Sequence, residues 1–140
     1  MIRMKRIRSR ETNFDSNKLD RVHKILSDMN VYFQREIAIK NNKFNTKYKT
    51  RVPDFLIKTE YGDLILEIDG ESVHGLFDLS ESTRTTQRNT DYIRAGIHYE
   101  ILNEGEAKYY KLPWESLVPY LINKGIAQMR ASFKYGESVE

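Results

Sequence analysis

The sequence predicts one α/β domain of the sandwich class, with a mixed central sheet and the element order helix, three strands, helix, strand, strand, helix. Three observations carry this. Residues 16–29 repeat their apolar side chains at helical spacing, whereas 31–39 and 53–69 alternate. Arg51–His74 reads as two strands joined by a tight turn. A helical stretch, Ser80–Ala95, ends at Gly96 just before another strand, Ile97–Leu102, and a helical crossover of that kind delivers a parallel partner.

The 140 residues suffice for one core, and the reading treats 1–140 as one domain with a basic arm at 1–12 and an irregular tail at 131–140. Hydrophobic residues at 39% and charged residues at 31% are ordinary for a globular chain. No run approaches the ~20 apolar residues of a membrane span, and the first ten residues lack the apolar core of a signal peptide. No membrane association and a cytoplasmic location are therefore expected. With no cysteine, disulfides and thiolate zinc sites are excluded. Net charge is only +3, but the bases are unevenly spread.

Arg3, Lys5, Arg6, Arg8 and Arg10 form a block without acids, suited to phosphates or to a solvated terminus. In the first helix Leu19, Val22, Ile25, Leu26 and Met29 make one stripe, with Asp15 or Ser16 as N-cap and Asn30 at the left-handed C-terminal position. His23 is read as a helix-face residue. The following strand, Val31–Ile39, puts Tyr32, Gln34, Glu36 and Ala38 on one side.

Lys40–Arg51 is a loop or loose hairpin in which Lys40, Lys43, Lys47, Lys49 and Arg51 occur with Phe44 and Tyr48 and no acid. Cations for phosphates and rings for stacking are what nucleic-acid binding requires, though a solvated linker has the same composition. Next come Pro53–Lys58 and Asp63–Asp69. With Tyr61–Gly62 as a two-residue turn, Asp54 pairs with Asp69. A four-residue turn makes Asp54 face Glu67. Both registers leave Asp54, Glu67 and Asp69 on one face, and a three-residue turn would not. Crowded carboxylates raise the cost of ionising one another, and a divalent cation relieves this. The same residues could also be a strand cap and an Asp-Gly turn.

Pro53-Asp54-Phe55, then Glu67-Ile68-Asp69-Gly70 and His74, resemble the PD-(D/E)XK nuclease superfamily. The E-x-D-G…H ending is similar to relatives of the very-short-patch-repair endonucleases, and the likeness spans roughly Leu19 to Leu102. It implies a restriction-endonuclease-like α/β/α sandwich and a Mg²⁺-dependent endonuclease acting on DNA, with Mn²⁺ as a substitute. By position, Asp54 and Glu67 would be metal ligands together with the Ile68 carbonyl. Asp69 replaces the motif lysine and could bind a second ion or position water. Asp20 lies near the place of a helix-borne acidic ligand, and Gln34 or Glu36 could approach from the second strand. His74, Arg84 or Arg88 would steady developing negative charge. The stretch Gln87–Leu102 resembles the family's arginine-bearing helix, glycine and strand, so Arg84 and Gln87 join the basic loop as nucleic-acid contacts. Arg88 paired with Asp91, or Arg84 with Glu81, would instead be a solvated helix face. Two other outcomes belong to the same likeness: an inactive nucleic-acid-binding module, since the lysine is missing, and a dimeric DNA-junction resolvase.

The C-terminal part completes the order. Lys108–Leu112 reads as a fifth strand at the edge, reached through a turn at Asn103–Glu106. Pro113 suits a first helical position. Trp114, Leu117, Leu121, Ile122 and Ile126 follow as an apolar side, with Pro119 kinking or restarting the helix.

Overall fold

The computed structural model describes residues 17–70 and 79–139, with side chains from 17–70 and 83–134. The basic arm at 1–12, the two N-cap candidates Asp15 and Ser16, and His74 lie outside these residues. Among the described residues the fold is mixed α/β: a four-stranded mixed sheet, a separate two-stranded ribbon and four helices.

Helix α1 covers residues 17–28, and Asn30 closes it with φ 60°, as the sequence suggests. Strand β1 (Tyr32–Arg35) is shorter than the alternation implies. Glu36 turns left-handed at φ 53°, and its N–H donates to the Asp54 carbonyl at 3.0 Å, which ends the ladder. The basic segment is a loose hairpin: β2 (Ile39–Lys40) pairs antiparallel with β3 (Thr50–Arg51).

Strands β4 (Phe55–Thr59) and β5 (Gly62–Asp69) form the central hairpin. Thr59 pairs with Gly62 and Phe55 with Leu66, so the loop is Glu60–Tyr61. The turn is two residues long, as one reading requires, but sits one residue earlier, and Asp54 faces Glu67 as in the other. Thr59 explains the shift: its hydroxyl donates to the Gly62 carbonyl at 2.7 Å and accepts the Tyr61 N–H at 3.1 Å. Gly62, with φ 123°, opens β5 in a conformation that a Cβ disfavours.

Helix α2 (Leu79–Arg94) ends before Gly96 at φ 70°. Ser80 and Ser82, either of which suits an N-cap by residue type at the expected start of this helix, both lie inside it. It leads to β6 (His98–Asn103), which runs parallel to β5 from Leu64↔His98 to Asp69↔Asn103. Sheet order is β1-β4-β5-β6.

The expected fifth strand is absent. Residues 104–109 form helix α3 (Glu104–Tyr109) instead, because the Asn103 side chain accepts the Glu106 N–H and caps it. Burying Ala107 holds the turn down. Helix α4 (Trp114–Val139) runs through Pro119 and continues where an irregular tail was expected. Pro119 is the sixth residue of the helix and has no N–H to give the Glu115 carbonyl, so the helix continues without that one bond.

Alternation divides the core between the sheet faces. On one face Phe55, Ile57, Leu64 and Leu66 pack with Leu19, Val22 and Leu26 of α1 and with Val118 and Ile122 of α4. On the other, Leu56 and Ile65 pack with Tyr92 of α2 and with Phe44 of the basic hairpin. Phe44 and Tyr92 are fully buried, at 0% exposure. Phe44 is thus a core side chain, not the stacking ring its basic neighbours suggest. Among the described residues no helix is long and apolar enough to cross a membrane.

Candidate active site

Asp54 stands in the bend just before β4, so its polar groups turn inward instead of joining the ladder. Its N–H donates to Glu67 Oε1 at 3.0 Å, and its carboxylate Oδ2 accepts the Ile68 N–H at 2.7 Å. Pro53, buried ahead of it, favours the extended approach to this bend. Glu67 is 4% exposed. Its other oxygen, Oε2, accepts the Tyr92 hydroxyl at 2.6 Å and lies 3.6 Å from Arg88 Nε.

Two carboxyl groups this close do not ionise independently. Burial, and then the charge of Glu67, push the Asp54 carboxyl up to about 7 despite the Ile68 N–H. Asp54 therefore keeps its proton in mildly acidic solution and is only partly ionised at neutral pH. The Tyr92 phenol is raised above its usual range by burial and by Glu67, so it remains the hydrogen-bond donor.

Asp69 lies two residues along the same face but has a different partner. Arg88 Nη1 and Nη2 meet its two oxygens at 2.9 and 3.1 Å, a bidentate pair. Burial works against the guanidinium, but the hydrogen bonds to Asp69 and the charges of Glu67 and Asp69 outweigh it and raise the Arg88 pKa. This replaces the surface pair with Asp91 suggested by helical spacing. Asp91, 1% exposed, is instead the clasp of the basic hairpin. Its Oδ1 accepts the Asn45 N–H at 2.9 Å, and its Oδ2 meets Arg51 Nε at 2.8 Å and Nη2 at 2.7 Å. Desolvation opposes ionisation there, but these partners prevail and hold the Asp91 carboxyl below its ordinary value.

The structure thus brings together Asp54, Glu67, Asp69 and Arg88. Gln34 pairs with Leu56 and lies on the same sheet face. Asp20 does not join them: it pairs with Arg35 at 2.6 Å, and Arg35 is opposite Phe55, on the other face. Lys40, Lys43, Lys47 and Lys49 are exposed on the hairpin, as are Arg84 and Gln87 on α2. Arg51 is committed to Asp91. Tyr48 stays outside at 74% exposure, with Lys47 Nζ 5.4 Å from its ring centroid.

Tyr92 is the residue that sequence reasoning missed, and Asp91 was considered there only as a surface partner of Arg88. Arg88, Asp91, Tyr92 and Ala95 have the spacing of one helix face, and that was the available signal.

Among the described residues no three His, Cys, Asp or Glu side chains gather as a metal-binding set. Asp69, expected as a third ligand, has both its oxygens on Arg88. Asp54 and Glu67 alone remain a fitting donor set for Mg²⁺ or Mn²⁺, which take oxygen ligands. Mg²⁺ in particular commonly keeps several waters while bound by one or two carboxylates and substrate phosphates.

Comparison with protein-family models, with curated proteins and with solved structures finds no match to this chain.

Proposed function

We propose that the protein is a metal-dependent endonuclease that hydrolyses DNA phosphodiester bonds, on a restriction-endonuclease-like α/β/α sandwich. One observation carries the reading: Asp54, just before β4, and Glu67, on β5, meet on one sheet face, and burial together with the Glu67 charge opposes ionisation of the Asp54 carboxyl. Two facing carboxyl groups that resist ionising together are relieved by a divalent cation as they are by a proton. Helix packing on both sheet faces supports the sandwich.

Asp54 and Glu67 would hold Mg²⁺ or Mn²⁺, which when bound polarises the scissile phosphate and lowers the pKa of its water. Tyr92 orients Glu67 through its hydroxyl, and Ile68 orients Asp54 through its N–H. Arg88, fixed by Asp69, supplies the buried positive charge that the motif lysine would otherwise bring, 3.6 Å from Glu67. The exposed lysines of the basic hairpin attract the phosphate backbone. Incubating supercoiled, branched and single-stranded DNA with Mg²⁺ or Mn²⁺ tests this. Cleavage abolished by Asp54→Ala is expected. No cleavage of any substrate, or cleavage indifferent to that substitution, rejects the reading.

A second reading is favoured by the engagement of both Asp69 oxygens: the residue in the lysine's place offers neither a cation nor an open carboxylate. The chain would then bind nucleic acid without cutting it. Thermal melts separate the two. Stabilisation by Mn²⁺ that Glu67→Gln removes supports a working metal site, and its absence supports the binding module.

A further inference from the structure

The α3–α4 corner exposes a second group of side chains suited to nucleic acid, in the segment that the sequence presents as an edge strand. Lys108-Tyr109-Tyr110-Lys111 leaves Tyr109 79% and Tyr110 62% exposed. Their rings meet edge to face, 5.0 Å between centroids at 83°, so one presents its face to an incoming ring. Beside them is a cavity of about 610 Å³, within the range of small-molecule sites. Lys18, Arg21, Lys108 and Lys111 line it against a single acid, Glu104. Lys18 pairs with Glu104 at 2.6 Å, and Arg21 pairs with Glu115 at 3.2 Å. Lys111 has no ion pair among the described residues. Its backbone is left-handed at φ 54°, where α3 has ended and α4 has not begun.

The cavity has an apolar side as well. Leu112 and Pro113 line it, and so does Trp114, whose ring lies 4.6 Å below the Arg21 guanidinium. Cations beside apolar and aromatic surface suit an anion with a planar body better than a bare phosphate. The cavity lies beyond the C-terminal end of β6. There Asn103, the α3 cap, is in register with Asp69 of the carboxylate site.

We infer that this corner is a nucleotide-binding site that takes one nucleotide of a single-stranded nucleic acid, with Lys111 on its phosphate and Tyr109 or Tyr110 stacking on a neighbouring base. The choice of a nucleotide among anions with planar bodies rests on the nuclease reading; the binding itself is measured without cleavage. Trp114 is the only tryptophan and lines the cavity, so its fluorescence reports on occupancy. The intact chain is titrated, without divalent metal, with thymidine monophosphate, a short oligothymidylate, thymidine and inorganic phosphate. Saturable change is expected with the oligothymidylate and, more weakly, with the monophosphate, and little with the other two. Lys111→Glu, at an exposed position, should weaken oligothymidylate binding about tenfold. Lys111→Gln should lower its salt slope by about one. Tyr110→Ala should weaken the oligothymidylate more than the monophosphate. A response to phosphate equal to that of the nucleotides, or affinity unchanged by Lys111→Glu, overturns the inference. Asp54→Ala should leave the signal intact. Cleavage without a Trp114 response rejects the pocket alone, and a response without cleavage rejects the nuclease reading alone.

Discussion

The Asp54 N–H donates to a Glu67 oxygen 3.0 Å away, and the charge of that same Glu67 helps to keep a proton on the Asp54 carboxyl. One residue therefore both fixes Asp54 and opposes its ionisation. The folded Asp54 titrates at about 7, above its ordinary value of 3.8. Between these values the folded chain keeps a proton that the unfolded chain has released, so stability falls as pH rises through this window. Asp54→Asn should flatten that dependence and raise the denaturation midpoint at about pH 8 above that of the parent. Urea melts at several pH values measure both. In the metal-binding reading, Mn²⁺ competes with the proton and should stabilise the parent more at about pH 8 than at about pH 6. A parent whose stability is flat across the window would contradict the paired-acid description.

Arg88 and Asp69 form a bidentate pair with side chains 17% and 20% exposed. Replacing Arg88 by Met leaves Asp69 partly buried without its cation and should cost about 2–4 kcal/mol, between surface and buried ion pairs. The double variant Arg88→Met, Asp69→Asn should recover part of that loss, because no unpaired charge remains. A double-mutant cycle read by urea denaturation gives the coupling. If the nuclease reading holds, both variants lose cleavage, since the recovered stability does not restore the cation. A double variant whose loss equals the sum of the two single losses would show that the pair has no energetic weight.

Asp91 connects α2 to the basic hairpin through Asn45 and Arg51. Its carboxyl is held below the usual value, so its contribution to stability is complete above about 4 and is lost as pH falls through the lower folded value. This is opposite in sign to Asp54. Asp91→Ala should cost about 3–5 kcal/mol, because Arg51 and the Asn45 N–H lose a buried partner. Limited proteolysis should then cut within residues 41–49 faster than in the parent. Unchanged protection would mean that buried Phe44 holds the hairpin without the clasp.

These results show what spacing alone conveys. The α1 stripe, the stop at Gly96 and the parallel β6 depend on local periodicity and breakers, and all were legible. So was the shared face of Asp54, Glu67 and Asp69, because sliding a two-residue turn by one position shifts the pairing by two and preserves the side. The place of the turn was not, since it depends on the Thr59 hydroxyl. The strand expected at Lys108–Leu112 was lost to the Asn103 cap, whose side chain takes the Glu106 N–H and starts a helix in its place. The engagement of Phe44, Arg51 and Asp91 was not legible, for a different reason. They meet across some forty residues of chain, and no periodicity encodes that contact. Asp20 can be read from the sequence as a surface charge or as a ligand, and the structure has it exposed and paired with Arg35, which the β1 ladder puts on the other sheet face.

The close approach of α4 to the sheet gives a prediction about packing alone. Gly125 is buried in α4 over β5, and a Cβ placed on it would lie 2.8 Å from both Leu64 Cδ atoms and 3.3 Å from Glu100 Cγ. In an exposed helix Gly→Ala gains about 1 kcal/mol. Here Leu64 is fully buried between helix and sheet, so its two methyls have no open space to enter. Glu100 is held on the other side by Lys124 at 3.3 Å. Overpacking of this kind costs about 1–3 kcal/mol and outweighs the gain in helix propensity. Gly125→Ala should therefore lower the urea midpoint. Adding Leu64→Ala should abolish the clash, so that Gly125→Ala becomes neutral or stabilising in that background. A rise in stability from Gly125→Ala alone would mean that α4 can move outward at little cost, and that its contact with β5 is looser than the distances imply.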